Sequence, residues 1–293
     1  MRLALGTAQI GLAYGISNNT GQVSGDEATA IIREAGAAGI DTLDTAVAYG
    51  ESESRLGKIG VDGFRIVSKV PAVPDDVKDI RGWMSGVVRD SLLKLRAERL
   101  YGLLLHRPQQ LGESRGGEIQ GALDQLKADG LADKTGISIY DPAELDELAG
   151  RYRPDLVQAP FNLFDNRLIS SGWMSRLKAQ GTEVHVRSIF LQGVLLFAPD
   201  ERPKKFDRWA AQFAAYDEWM SAHNRSALEA CVSHALSVPE IDRVVVGVES
   251  ASHLRDVVAA AAVSPPPFAE RVVSSDAELL DPRAWNYQPS RST

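Results

Sequence analysis

Four side chains that could transfer or stabilise a proton occupy defined places in this sequence. Asp44 and Tyr49 lie in the segment DTAVAYGESESRLG, and Lys69 and His106 stand at the ends of the apolar runs FRIVSKV and RLYGLLLH. A carboxylate, a phenol, an ammonium and an imidazole are groups that proteins use for general acid–base chemistry. None of them can do this chemistry alone, so their value depends on the elements that position them.

Those elements are eight short runs of β-branched residues or leucine, separated by segments with helical patterns. In the segment 25–39, for example, Ile31, Ile32 and Ala35 recur at helical spacing, and Gly39 stands where a helix should end. The runs predict strands over residues 2–7, 39–45, 64–70, 99–106, 134–140, 154–161, 182–190 and 241–248.

Eight strands alternating with helices predict a single-domain (β/α)8 TIM barrel. The 293 residues would also allow two average domains. A doubly wound sheet is disfavoured because LGTAQIGLAYG, after the first run, lacks a GxGxxG loop with a helix behind it. We expect the barrel to span residues 1–264, with a long excursion at about 191–224 that is helical in its second half, and a C-terminal tail over 265–293.

In such barrels the active site lies at the carboxyl ends of the strands. Asp44 ends the second predicted strand, Tyr49 follows in its loop, and Lys69 and His106 end the third and fourth strands. Each residue alone could be a cap, a rim aromatic, a solvated charge or a satisfied polar group. Their occurrence together at successive strand ends favours an active site.

Four motifs, DTAVAYGESESRLG, VSKV, LLLH and VQAPFN, together resemble the aldo-keto reductase family, and the resemblance runs from about Leu3 to about Ala262. It implies a catalytic tetrad in which Tyr49 donates a proton, Asp44 holds Lys69 and His106 orients the substrate carbonyl. An ammonium about 4 Å from the phenolate could stabilise it by roughly 4 kcal/mol at an effective dielectric of about 20. Lys69 is therefore expected to lower the phenol pKa by up to about three units.

The resemblance also implies a nicotinamide dinucleotide bound without a Rossmann domain. Gln158 and Ser138 match groups that hold the nicotinamide carboxamide, although Ile139 replaces a neighbouring Asn of the family. Arg187 replaces an aromatic residue that often stacks on the nicotinamide, and its planar guanidinium could also stack. The other residues implied to bind the cofactor are Thr7, Ser188, Gly193, Gly247, Glu249, Ser250, His253 and Asp256.

Cofactor choice and reaction direction follow from charge. The family favours NADP(H), whereas Glu249 would repel a 2′-phosphate unless His253 or Arg255 compensates, and so favours NAD(H). We expect NADP(H), with NAD(H) as the alternative. The positive charge of Arg187 should disfavour the oxidised, cationic nicotinamide, which favours reduction as the direction.

Composition excludes several other classes of protein. A formal net charge of −7 argues against nucleic acid as a partner. No run approaches the roughly 18 apolar residues of a membrane span. The single cysteine, Cys231, permits no internal disulfide and is expected to be buried in a helix. The histidines form no HxH or HExxH motif, so we expect no metal site. The single cysteine and the absence of a long apolar run lead us to expect a cytoplasmic location.

The resulting prediction is an NAD(P)H-dependent reductase of a small aldehyde or ketone, which could be sugar-derived. Two alternatives stay open: a cofactor-sensing binding module with little turnover, and a barrel isomerase or lyase that uses Lys69 and His106 without nicotinamide. The predicted pocket rim combines polar and aromatic residues, namely Asn18, Asn19, Asn162, Tyr14, Phe161, Phe190 and Trp209.

Overall fold

The computed structural model describes residues 1–16, 18, 21–267 and 270–285. Eight parallel strands pair in chain order, and the last pairs with the first, so the sheet closes into a barrel. Helices alternate with the strands, which confirms the predicted single-domain (β/α)8 TIM barrel. The strands are β1 (Leu3–Gly6), β2 (Thr42–Asp44), β3 (Arg65–Val70), β4 (Leu100–Leu105), β5 (Ala132–Ser138), β6 (Leu156–Pro160), β7 (Glu183–Arg187) and β8 (Arg243–Gly247).

All eight strands differ in extent from the predicted runs, and β5 and β7 differ most at their carboxyl ends. β5 begins at Ala132 and ends at Ser138, two residues earlier than the sequence pattern indicated. β7 ends at Arg187, although the apolar run continues to residue 190. Ser188 has a φ of 60°, in the left-handed region, so the chain leaves the extended conformation at this residue.

The helices follow local signals in the sequence, as α2 illustrates. Ser24 caps its start by accepting a hydrogen bond from the Glu27 N–H, and Gly39, with a φ of 75°, follows its end. The α-helices are α1 (Ala8–Gly11), α2 (Gly25–Ala37), α3 (Ser52–Ile59), α4 (Ile80–Leu95), α5 (Gly116–Ala128), α6 (Ala143–Leu148), α7 (Arg167–Ser170), α8 (Trp173–Ala179), α9 (Ala210–Ala222), α10 (Ala227–Ser237), α11 (Ala251–Ala260) and α12 (Ala277–Leu280). Short 3₁₀ segments cover Pro108–Leu111, Leu191–Leu196, Lys204–Trp209, Glu270–Val272 and Pro282–Trp285.

Two predictions about these helices are confirmed. α9 lies in the second half of the excursion at 191–224, and Cys231 is a buried residue of α10. No helix in the described part of the chain is both long and apolar enough to cross a membrane.

Strand alternation positions the site residues above an apolar layer. A small buried cluster, separate from the main core, consists of Val67, Leu104 and Leu156. Val67 stands two residues before Lys69, and Leu104 two residues before His106, so each pair points to the same side of its strand. The polar side chains therefore lie towards the carboxyl ends of the strands, with apolar side chains beneath them.

Part of the predicted C-terminal tail packs against the barrel. Val272, Leu279 and Leu280 are buried, and the Ser274 N–H donates a hydrogen bond to the Phe164 carbonyl at 2.8 Å. The remainder of the predicted tail, residues 286–293, lies outside the described residues.

Candidate active site

At the bottom of the site lies a buried ion pair between β2 and β3. Lys69 Nζ lies 2.7 Å from Asp44 Oδ1 and donates a second hydrogen bond to the Thr45 carbonyl at 2.9 Å. Lys69 is 1% exposed and Asp44 3% exposed, so each charge depends on the other for its stability. The sequence predicted that Asp44 holds Lys69, and the two side chains are in direct contact.

The second oxygen of Asp44 links this pair to two further strands. Gln158 Nε2, on β6, donates to Asp44 Oδ2 at 2.6 Å. Ser138 Oγ, at the end of β5, donates to Gln158 Oε1 at 3.5 Å. Both residues are buried, and both are ones for which the resemblance implies contact with a carboxamide. In this structure the Gln158 amide hydrogen bonds to Asp44.

Tyr49 and His106 lie beside the ion pair. Lys69 Nζ lies 5.1 Å from the centroid of the Tyr49 ring, and the Tyr49 and His106 rings meet edge to face with their centroids 6.4 Å apart. Both side chains are partly exposed. Within the described part of the chain, neither the Tyr49 hydroxyl nor the His106 ring nitrogens form a hydrogen bond, so these atoms can bind a ligand.

The protonation states follow from burial and charge. Burial raises the pKa of Tyr49, and the negative charge of Asp44 raises it further. This direction is opposite to the lowering expected from Lys69, because Asp44 offsets the lysine charge and burial disfavours a phenolate. Burial lowers the pKa of His106 to about 4, and the charges of Lys69 and Arg187 act in the same direction. At neutral pH the site therefore holds a protonated phenol and a neutral imidazole.

The loop that carries Tyr49 packs backbone to backbone on the end of α1, the short helix after β1. A Cβ atom at Gly11 would lie 1.8 Å from the Tyr49 carbonyl oxygen, and one at Gly50 would lie 2.7 Å from the Gly11 carbonyl oxygen. Ser52 Oγ, at the start of α3, donates to the Thr7 carbonyl at 3.0 Å. The close backbone contacts at Gly11 and Gly50 therefore set the position of the Tyr49 backbone relative to the barrel.

An open cleft adjoins these groups between the ends of β1, β7 and β8. Its empty volume is about 800 Å³, counting solvent at the mouth. The predicted catalytic and cofactor-binding residues that line it are Thr7, Asp44, Tyr49, Arg187, Ser188, Gly193, Gly247, Glu249 and His253. A single opening thus connects the phenol of Tyr49 with the start of α11.

Four other predicted cofactor contacts do not line this cleft, namely Ser138 and Gln158, which are buried, and Ser250 and Asp256. The predicted catalytic residues Lys69 and His106 do not line it either. Ser250 caps α11, and its hydroxyl accepts a hydrogen bond from the His253 N–H at 3.0 Å. Asp256 is exposed on α11, outside the cleft wall.

The predicted rim is partly wrong. Tyr14 and Phe190 line the cleft, but Phe161 and Asn162 are buried. Phe161 stacks on the His234 ring at 5.1 Å, and Asn162 Oδ1 accepts hydrogen bonds from two backbone N–H groups of the turn that follows β6. These residues support the turn from beneath instead of facing the opening.

The remaining residues predicted for the rim that the structure describes form hydrogen bonds elsewhere in the chain. Trp209 Nε1 donates to Asp276 Oδ2 at 2.8 Å, so it ties the excursion to the C-terminal segment. Asn18 Nδ2 donates to the Gly21 carbonyl at 3.0 Å within its own loop. The predicted rim residue Asn19 lies outside the described residues.

The loop after β7 forms one wall of the cleft in an unusual backbone conformation. Ser188, Leu191, Gln192 and Gly193 have φ values of 60°, 47°, 57° and 94°. Gln192 Nε2 donates to the Tyr14 hydroxyl at 2.7 Å, which joins this wall to the loop after β1. Sequence reasoning missed Gln192, and no local pattern marks it.

Gln9 is a second cleft residue that sequence reasoning missed. It lines the cleft next to Gly247, where a Cβ atom would lie 2.6 Å from Gln9 Nε2. The sequence could have indicated Gln9 as a site residue, because a polar residue shortly after β1 belongs to the same rim as Asp44.

The start of α11 is surrounded by carboxylates. The Ala251 N–H donates to Glu27 Oε1 at 2.6 Å, and Glu249 lines the cleft just before the helix. Arg255 Nε lies 3.6 Å from Glu34 Oε2, so this arginine is paired within the chain. A helix N-terminus attracts anions, and here a carboxylate of the chain already accepts one of its N–H groups.

Comparison with known proteins supports the family that the sequence motifs resemble. The model of the aldo/keto reductase family matches residues 2–270. The aldo-keto reductase AKR11C1 from Bacillus halodurans, solved in a holo form, has a TM-score of 0.72 at 21% identity, with 92% of this chain and 89% of that chain covered. The glycerol dehydrogenase AKR11B4 from Gluconobacter oxydans has a TM-score of 0.67 at 21% identity, with 90% and 88% covered. At these identities the likeness concerns the fold, and no curated protein sequence matches the chain. The family match over nearly the whole chain establishes that it belongs to the aldo-keto reductase family.

Proposed function

We propose that this chain is an NAD(P)H-dependent reductase that converts an aldehyde or a ketone to an alcohol, with Tyr49 as the proton donor. Members of the family are oxidoreductases that act on carbonyl groups. The observation that carries the proposal is the pair of uncommitted groups, the Tyr49 phenol and the His106 imidazole, beside the buried Lys69–Asp44 ion pair.

The cleft residues fit a nicotinamide dinucleotide. Gly6 and Gly247, at the paired ends of β1 and β8, present backbone without side chains to the cleft. Ser188 and Gly193 would contact its phosphates, and Gln158, next to the catalytic residues, would contact the carboxamide. When bound, this cofactor supplies the hydride.

The residues of the chain account for the proton. The Tyr49 phenol, protonated at neutral pH, donates its proton to the carbonyl oxygen as negative charge develops there. His106, as a neutral imidazole, donates a hydrogen bond to the same oxygen and orients it. Lys69 stabilises the phenolate that remains, and Asp44 and the Thr45 carbonyl keep the ammonium in position.

Two considerations on cofactor choice point in opposite directions. The sequence resemblance favours NADP(H), which we expected. The carboxylates at the start of α11, Glu27 and Glu249, and the pairing of Arg255 with Glu34 oppose a 2′-phosphate and favour NAD(H). Titration with both cofactors is therefore part of the test.

Tryptophan fluorescence of the purified protein, titrated separately with NADPH and NADH, is the first experiment. Binding followed by reduction of aldehydes in a carbonyl panel supports the proposal. Tight binding with negligible turnover across the panel favours the cofactor-sensing module instead. Absence of binding at millimolar concentrations of both cofactors refutes the reductase.

A charge variant sharpens the choice of cofactor. Glu27→Gln removes a negative charge at the start of α11, so it should tighten binding of NADPH relative to NADH. Two charges about 4 Å apart in water interact by about 1 kcal/mol, so the expected change is about fivefold at most. Glu118→Gln, an exposed change on α5, is the matched control. An unchanged ratio of dissociation constants would show that the phosphate does not bind near Glu27.

A further inference from the structure

We infer that Arg187 recognises the substrate, and that the preferred carbonyl substrate carries an oxyanion group, a carboxylate or a phosphate. The inference rests on the proposed reductase function and adds a substrate class to it.

The first support is the position of the guanidinium. Arg187 lines the same cleft as Tyr49. Its NH2 group donates to the Ile139 carbonyl at 2.9 Å, and its NH1 group donates to Ser188 Oγ at 3.2 Å. The guanidinium carbon also lies 4.4 Å from the centroid of the Tyr140 ring. The contacts with Ile139 and Tyr140 direct the side chain towards the end of β5, away from α11, while the contact with Ser188 adjoins the expected phosphate site.

The second support is its charge. The other cations at this side of the rim have carboxylate partners: Lys69 pairs with Asp44, Arg167 with Asp141 and Asp165, and Arg283 with Asp281. Among the described residues, no carboxylate lies within salt-bridge distance of Arg187. A guanidinium offers five N–H donors, and the contacts above use two of them. A partly buried cation with unused donors favours an anionic ligand.

The third support is proximity to the reacting groups. Burial dominates the pKa values of Tyr49 and His106, and the Arg187 charge contributes a lowering effect to both. Arg187 is therefore electrostatically coupled to the two groups that would hold the carbonyl oxygen. An oxyanion elsewhere on the same small molecule could reach Arg187 while its carbonyl meets Tyr49.

The competing role for Arg187 is the nicotinamide stacking expected from the sequence. In the structure its guanidinium lies over Tyr140, a ring that also has the Arg283 guanidinium carbon 3.8 Å from its centroid. One face of Arg187 is thus already covered by an aromatic ring of the chain. A stacking role predicts weaker cofactor binding when Arg187 is replaced, whereas substrate recognition predicts a loss of discrimination between substrates.

The test compares kcat/KM within matched pairs, using whichever cofactor binds. One pair is 4-carboxybenzaldehyde and the neutral 4-formylbenzamide, and the other is glyceraldehyde 3-phosphate and glyceraldehyde. We expect the wild type to prefer the charged member of at least one pair by about tenfold or more, as for a hydrogen bond to a charged group. The pair that responds identifies the oxyanion as carboxylate or phosphate.

Three variants locate the preference. Arg187→Gln should reduce the ratio within the responding pair towards one. Arg187→Lys should retain part of it, because lysine keeps the charge but lacks the planar fork. Arg89→Gln, an exposed change on α4, should keep the full ratio.

Two results would overturn the inference. One is a wild type without preference in either pair. The other is an Arg187→Gln variant that lowers kcat/KM equally for both members and weakens NAD(P)H binding by fluorescence, which would make Arg187 a cofactor contact. Failure of the reductase function itself looks different, because none of the four carbonyls would then be reduced.

Discussion

The barrel contains two clusters built from the same four kinds of side chain. Towards the carboxyl ends of the strands, the acid, phenol, lysine and imidazole are Asp44, Tyr49, Lys69 and His106. Towards the amino ends, they are Glu183, Tyr101, Lys134 and His185. Residue types alone would nominate both clusters as active sites.

In the amino-end cluster one carboxylate binds all three partners. The Tyr101 hydroxyl donates to Glu183 Oε2 at 2.6 Å, Lys134 donates to the same oxygen, and His185 Nε2 lies 2.7 Å from Oε1. Burial would raise the pKa of Glu183, but the hydrogen bonds from His185, Lys134 and Tyr101 hold it well below its usual range. The phenol and the lysine are therefore already engaged within the protein.

In the carboxyl-end cluster the acid binds different groups. Asp44 contacts Lys69 and Gln158, which leaves the hydroxyl of Tyr49, a residue that lines the cleft, and the nitrogens of the neighbouring His106 ring without hydrogen bonds among the described residues. The two clusters thus differ in which polar atoms stay without hydrogen bonds beside an opening, and this difference favours the carboxyl end as the active site. Composition alone does not distinguish the two ends.

The largest expected difference is between the two tyrosines. Tyr49→Phe removes the proposed proton donor and should lower the rate of carbonyl reduction by about 100- to 10,000-fold. Its unfolding temperature and cofactor affinity should stay close to those of the wild type. Tyr101→Phe should retain turnover and lose about 1 to 2 kcal/mol of stability, because Glu183 loses a hydrogen bond. Steady-state kinetics and thermal unfolding measure both, and near-normal turnover of Tyr49→Phe would refute its role.

The two lysines should differ next. Lys69→Met leaves Asp44 buried without its cation, so we expect a stability loss of about 3–5 kcal/mol. Turnover should fall by about 100-fold, as when a charge-stabilising donor is removed. Lys134→Met should cost less stability, since its side chain is 32% exposed and Glu183 keeps two partners, and turnover should be unchanged. Equal effects of the two variants on turnover would show that the two clusters do not differ in their contribution to catalysis.

The smallest expected effect is the pH dependence of the reduction rate. It tests whether Asp44 offsets the charge of Lys69 as fully as Glu183 offsets that of Lys134. With its pKa raised, Tyr49 stays protonated, and the reduction rate should remain flat between about pH 6 and pH 9. If Lys69 instead lowered the phenol pKa to about 7, the rate would fall about tenfold per unit above that pH. A kcat profile for reduction at saturating cofactor distinguishes these cases.

Much of this arrangement could be predicted from the sequence. Alternating runs and helical patterns gave the eight strands, because their spacing is local. The strand ends then brought Asp44, Lys69 and His106 to one rim, since parallel strands of a barrel share their carboxyl edge. Tyr49 followed because its loop is short.

Features that depend on side-chain contacts between distant segments could not be predicted. The amino-end cluster joins residues 101, 134 and 183, which no local pattern links. The direction of the Tyr49 pKa shift depended first on how deeply the fold buries the phenol and then on the nearby charge of Asp44. Phe161 and Asn162 were expected at the rim because they end a strand, yet the turn after β6 folds them inward.

The glycine contact beneath Tyr49 has a consequence for how the sequence can vary. Gly11 provides no catalytic atom, yet a methyl group there would collide with the Tyr49 carbonyl oxygen and displace the phenol. In a mutational scan that selects for turnover, substitutions at position 11 should therefore reduce activity as strongly as substitutions of the catalytic residues. A search for residues that contact the ligand would not find this position. The position of the Tyr49 hydroxyl, and so its distance from a bound carbonyl oxygen, depends on the absence of a Cβ atom at Gly11.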